Sequence, residues 1–220
     1  MAHEKAAEEA DAASFDEAAV VALLARRDLP PMTNADMAAL LVDRLDDLED
    51  QLRHDASPRA VWQLVSDEKL MRRQIARELE HAARSAYKVD QERVTAEEKE
   101  TDIRLSSLGG PIEGVIELKI GENRRSAAKL RAALREQIVE KYLGPETRRT
   151  GCLLVTVGSD CSWKHPETAE MLDFVGLMAF LEGEAARIEE ELGGAVRLFA
   201  RGLDLRPPLP TERERQRGGD

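Results

Sequence analysis

Aromatic residues make up only 4% of this 220-residue chain, too few for the stacking platform on which single-stranded nucleic acids are commonly held. Cysteine is nearly absent as well. Cys152 and Cys161 allow at most one bridge, which is no disulfide framework, so both read as reduced thiols. No apolar run approaches the roughly 18 residues of a membrane span. The start, MAHEKAAEEADAA, has neither the basic flank nor the apolar stretch of a secretory leader. These absences point to a cytoplasmic protein with no membrane partner. A dinucleotide-type glycine fingerprint and a phosphate-cradling GK[ST] loop are also missing. Cys152, Cys161 and His165 suggest zinc only superficially, because Cys152 falls in a core-type strand and a fourth ligand is not apparent. Trp163, beside His165 and Pro166, reads as loop packing.

Hydrophobic residues at 42% and charged residues at 34% describe a globular chain, long enough for one domain with an accessory segment. The net charge of −11 argues against coating a nucleic acid by general electrostatics. That charge is uneven. Residues 1–60 carry six Lys or Arg against fourteen Asp or Glu, whereas residues 121–150 carry eight basic residues against four acidic ones.

The first sixty residues read as helical and are broken at Pro30 and Pro31. Thr33 and Asn34 offer caps for a helix in which Met37, Leu40, Leu41, Leu45, Leu48 and Leu52 recur at three- and four-residue spacing. That amphipathic helix either packs on its own domain or docks on a partner. A second helical pattern spans about residues 62–87, with Leu64, Leu70, Ile75, Leu79 and Ala82 as its candidate buried stripe. Strand-like alternation then appears at residues 87–94, 101–107 and 115–120. A helix capped at Asn123 and stopped by Gly144 and Pro145 follows, then a buried-type strand over 152–157. A long helix over 167–192 and a last strand over 196–205 complete the pattern, and the tail from Pro207 is polar.

Between the second and third strands lie Gly109 and Gly110, which can supply the positive φ angles of a two-residue hairpin turn. In that register, antiparallel partners are residues whose numbers sum to 219, and Asp102 faces Glu117. Opposed residues share a sheet face with β-carbons roughly 5 Å apart, and Lys119 shares it too. Ile103, Leu105, Ile112, Ile116, Leu118 and Ile120 form the opposite, apolar face. Two carboxylates so close need positive charge between them. A hard divalent cation would provide it, held by Asp102, Glu117 and a backbone carbonyl; alternatively Asp102 pairs with Lys119 or Arg104.

Glu68 in a leading helix, Asp102 on one strand and Glu117, Leu118 and Lys119 on the next resemble the PD-(D/E)xK nuclease superfamily, the restriction-endonuclease-like fold. The resemblance covers about residues 65–160, with Thr101 standing where the motif has proline. Asp67 and Glu68 opening the helix, and the segments Thr101 to Arg104, Val115 to Lys119 and Gln137 to Leu143, are similar, more narrowly, to nuclease-like regions at the carboxyl ends of large multidomain bacterial proteins. The resemblance implies an α/β fold with an αβββαβ core, a mixed central sheet flanked by helices, and an N-terminal helical extension. It divides the chain into an acidic helical extension (1–60), a nuclease-like domain (61–206) and a polar tail (207–220). It further implies a magnesium-dependent endonuclease, with manganese able to substitute. Asp102, Glu117 and the carbonyl of Leu118 would hold the metal, Glu68 would add a ligand, and Lys119 would serve the attacking water. Gln137 shares a helical side with Leu130, Leu134 and Ile138, so it faces the sheet and needs a polar partner; in the family, a glutamine there lies beside the catalytic face.

Arg124, Arg125, Lys129, Arg131 and Arg135 form the basic island and offer contacts to a phosphate backbone, or an ordinary exposed helix face. The expected substrate is DNA, with the acidic N-terminal helices available to a protein partner and a homodimer able to cut both strands. The alternative is a nuclease-fold interaction or regulatory module without catalysis.

Overall fold

Residues 29–54, 56–91, 103–123 and 126–207 are described by the computed structural model. The sequence expectations for residues 1–28 and for the tail beyond residue 207 lie outside the described residues. Among the described residues, no helix is long and apolar enough to cross a membrane.

Helix α1 (Asn34–Leu52) begins where the sequence offers a cap. Thr33 Oγ1 accepts from the Asp36 N–H at 3.1 Å, and Asp36 Oδ2 accepts from the Thr33 N–H at 2.9 Å, a reciprocal capping box. All six apolar residues of its stripe are buried. They pack in one core with Ile103, Leu105, Ile116, Leu118 and Ile120 of the sheet, so α1 is a layer of the domain and not an appendage outside a boundary at residue 60. Each such buried side chain contributes roughly 1.5–3 kcal/mol of gross hydrophobic stabilisation.

The single helix expected over residues 62–87 is two: α2 (Arg59–Trp62) and α3 (Glu68–His81). Asp67 caps α3, its Oδ1 accepting from the Lys69 N–H at 2.7 Å, and this start sets the helix phase. Met71, Ile75, Ala76 and Leu79 are therefore buried, whereas Leu64 and Leu70, expected inside, are exposed.

Strands β1 (Tyr87–Gln91), β2 (Ile103–Ser107) and β3 (Glu113–Ile120) form an antiparallel unit; β4 (Thr150–Val157) then adds parallel to β3. Two further short strands, β5 (Trp163–Lys164), where the sequence reads as a loop, and β6 (Met171–Leu172), which falls inside the expected helix over 167–192, form a separate hairpin. The last strand, β7 (Arg197–Asp204), joins parallel to β4, which gives a five-stranded mixed sheet of order β1-β2-β3-β4-β7. The β2–β3 register is the expected one: Ile103 pairs with Ile116, Leu105 with Gly114 and Ser106 with Glu113. Its cause differs. Positive φ among the described glycines occurs at Gly193 and Gly194, not at Gly109 or Gly110. The connection is a longer loop closed by the Ser107 N–H donating to the Ile112 carbonyl at 2.9 Å. Gly109 is required there by space, since a β-carbon would come within 2.7 Å of Pro30 Cβ.

Helices cover both faces, as expected of an α/β protein with a mixed sheet. On the face opposite α1 to α3, a continuous helical stretch crosses from β3 to β4. It consists of α4 (Ala127–Ala133), a π-helical segment (Leu134–Val139) and α5 (Glu140–Tyr142). Its cap is Ser126, whose Oγ accepts from the Lys129 N–H at 3.3 Å, and not Asn123. Asn123 instead donates to the Ser66 carbonyl. Helix α6 (Phe174–Glu191), capped by Asp173, carries the chain from β6 to β7 and starts seven residues later than its apolar pattern suggests, because the β5–β6 hairpin intervenes. These helices share a second core with Val115, Leu153, Val155, Leu198 and Ala200.

Candidate active site

Alternation along β3 sends Ile116, Leu118 and Ile120 into the α1–α3 core and leaves Val115, Glu117 and Lys119 on the other face. On β4, the residues paired with Glu117 and Lys119 are Leu153 and Val155. Both charged side chains are nonetheless buried, at 5% and 7% exposure. Buried charges persist only when paired, and the Lys119 ammonium donates to Glu117 Oε1.

Beside Glu117 to Ile120, elements from both sheet faces meet. From one face, α3 delivers Glu68, its first residue. Glu68 Oε1 accepts from the Ile120 backbone N–H at 3.1 Å. From the other face, the π-helical segment delivers Gln137, half-buried. Segments with i→i+5 hydrogen bonds are rare and frequent at functional sites.

Together Glu68, Arg72, Glu117, Leu118, Lys119, Gln137 and Lys141 line a cleft of about 260 Å³. Five of these seven, Glu68, Glu117, Leu118, Lys119 and Gln137, are candidates from sequence. The sixth, Asp102, lies outside the described residues, as do Arg124 and Arg125. Lys129 is exposed on α4 and does not line the cleft. Arg131 pairs with Glu167 and stands over the Phe180 ring, and Arg135 pairs with Glu191, so these two arginines brace the crossover helix against the α6 side. Sequence reasoning passed over Arg72 and Lys141. A signal for Arg72 was present, since it follows Glu68 by four residues, one turn along the same helical side; Lys141 reaches the cleft by way of the π-helical segment, which the sequence does not mark.

The other reactive groups are accounted for elsewhere. Burial pushes the Cys161 thiol up to about 11, with Glu122 adding to the effect, and burial raises Cys152 further. Thiols held protonated are poor nucleophiles and poor zinc ligands. His165 Nδ1 accepts from the Glu167 and Thr168 N–H groups, each at 3.2 Å, and serves as a turn cap. Trp163 is buried against Phe174, with ring centroids 6.2 Å apart.

Among the described residues, no group of three His, Cys, Asp or Glu side chains is arranged to hold a metal ion. The cleft does place two carboxylates, Glu68 and Glu117, together without histidine or cysteine. An oxygen-only donor set of this kind fits a hard divalent cation. Searches of protein-family models, curated proteins and solved structures find no match to the chain.

Proposed function

We propose that the chain is a metal-dependent nuclease of the PD-(D/E)xK, restriction-endonuclease-like type, acting on phosphodiester bonds in DNA as an effector domain. The observation that carries this reading is the convergence of Glu68, Glu117, Leu118, Lys119 and Gln137, drawn from three elements, on one cleft. The order of α3, β1, β2, β3, the crossover helix and β4 supports it, being the αβββαβ succession of that fold.

In this reading Glu117, the Leu118 carbonyl and Asp102 would hold Mg2+, with Glu68 beside them. A bound Mg2+ would supply Lewis-acid polarisation of a phosphoryl oxygen and neutralise developing charge. The chain's own groups do the rest. Lys119, fixed by Glu117 in a buried floor, holds its ammonium where it can orient an attacking water and offset charge on a phosphoryl oxygen. The Gln137 amide presents N–H donors to a non-bridging oxygen or to that water. The ion pair with Glu117 costs Lys119 rotamer freedom during folding rather than during the reaction, so the group is preorganised.

With a net charge of −11, the chain depends on local positive charge or on a protein partner to approach a polyanion. The Glu117–Lys119 pair neutralises itself, and this favours one second reading, a nuclease-fold binding module without catalysis. Incubating purified protein with plasmid in magnesium and in chelator separates the two. The nuclease reading expects cutting in magnesium alone, lost in Lys119→Ala. Cutting that survives Lys119→Ala removes the assigned mechanism, and no cutting in magnesium or manganese favours the binding module.

A further inference from the structure

The residues lining the cleft reverse the sign of the chain. Three cations, Lys119, Arg72 and Lys141, stand against two carboxylates, Glu68 and Glu117, on a protein of net charge −11. The cations are not equivalent. Lys119 lies in the buried floor and is matched by Glu117. Arg72 is half-buried on α3 and Lys141 is exposed on α5, so the solvent-accessible cations lie toward the mouth. Each mouth cation lies four residues beyond a residue of the inner tier: Arg72 after Glu68, about 6 Å along an α-helix axis, and Lys141 after Gln137. The Lys141 ammonium rests 4.4 Å from the centroid of the Tyr142 ring, and Tyr142 is itself buried. A cation–π contact of this kind holds the ammonium near one position.

We propose that Arg72 and Lys141 form an anion subsite at the mouth of the cleft that takes the phosphate next to the one being cleaved, so that the preferred substrate is a polynucleotide strand rather than an isolated diester. The subsite rests on the nuclease reading for its neighbour, while its own chemistry is phosphate recognition: a planar guanidinium able to engage two oxygens, and an ammonium acting as a point charge. Both are binding residues, and neither is assigned a part in bond cleavage.

The test uses the full chain and a short fluorescein-labelled single-stranded oligonucleotide. Anisotropy is read in calcium over a series of salt concentrations, and cleavage kinetics are read in magnesium. Removing one phosphate contact lowers the slope of log K against log salt by about one unit and weakens binding uniformly across sequences. Lys141→Ala and Arg72→Gln are each expected to raise Kd about tenfold and to lower the slope by about one unit. In kinetics the loss should fall on KM rather than kcat, and Lys141→Arg should restore it. Thermal melts establish that the variants are folded, with Arg72→Met and Lys141→Gln as alternative charge-removing replacements where they are not. Folded variants with the wild-type Kd and salt slope overturn the subsite. Wild-type cutting together with indifferent variants removes the subsite and leaves the nuclease reading intact. Lys141-dependent binding without cutting in magnesium or manganese removes the nuclease reading and leaves the subsite. A chain that neither binds nor cuts the oligonucleotide removes both.

Discussion

Glu68 and Ile120 are 52 residues apart in sequence, and the carboxylate of the first accepts the backbone N–H of the second at 3.1 Å. This bond ties the start of α3 to the end of β3. It places one acid of the cleft and satisfies a strand N–H with the same group.

The two roles of Glu68 separate by substitution. Glu68→Ala removes the acceptor for a part-buried N–H and is expected to lower stability by about 1 kcal/mol. Glu68→Gln keeps an oxygen acceptor and should stay close to wild-type stability, yet it should lose activity as fully as alanine if the negative charge contributes to the metal site. Urea denaturation and cleavage rates measured on the same preparations check both statements.

Glu117 and Lys119 are both buried and paired. Lys119→Met leaves the buried carboxylate without its lysine and is expected to cost about 3 kcal/mol. The double variant Glu117→Leu with Lys119→Met replaces the pair by apolar groups of similar volume, and its stability should return to within about 1 kcal/mol of wild type. Activity should be absent from both. Recovery of stability without recovery of activity shows that the pair serves chemistry rather than folding.

Gly151 on β4 lies directly beneath the π-helical segment, where an added β-carbon would overlap Ile138 Cγ2 and touch Leu143 at 3.4 Å. Gly151→Ala should destabilise the protein by about 1–3 kcal/mol through overpacking. It should also slow cleavage, because the segment that would have to shift carries Gln137. Stability loss without a change in rate per folded molecule would show that the position of Gln137 is immaterial.

Much of this arrangement is legible in the sequence, and its limits are physical. Alternation at Ile103, Leu105, Ile116, Leu118 and Ile120 specifies which face is buried, since a one-residue slip would expose every one of them. The β2–β3 register follows from that requirement more than from the diglycine, whose φ angles are not positive. Leu64 and Leu70 look like core residues because apolar spacing does not mark where a helix begins. The Asp67 cap decides that, and it rotates Met71 inward instead. The π-helical segment has no composition of its own, so only coordinates show how Gln137 and Lys141 come to face the same cleft. Arg131 and Arg135 read as a phosphate-binding face until Glu167 and Glu191, which are 36 and 56 residues distant, are seen to neutralise them.

Asp204 sets an acid limit on stability. Burial raises its pKa, but hydrogen bonds and charge from Arg206 outweigh burial and hold the carboxyl below its ordinary value of 3.8. A depressed native pKa stabilises the fold fully above the unfolded value, and the contribution is lost as pH falls through the folded value. The stability advantage of wild type over Arg206→Gln should therefore be constant at neutral pH and shrink below pH 3.8. Chemical denaturation across an acid series measures it. An advantage that grows on acidification would contradict the assignment.

The central claim is that this cleft gathers oxygen ligands around a hard cation for phosphodiester hydrolysis, and crystals soaked in manganese test it most directly. The account predicts one anomalous peak in the cleft within roughly 2.0–2.5 Å of a Glu117 carboxylate oxygen, absent from crystals of Glu117→Gln. A fully loaded crystal with no peak in the cleft, or with a peak there that Glu117→Gln leaves in place, would contradict it.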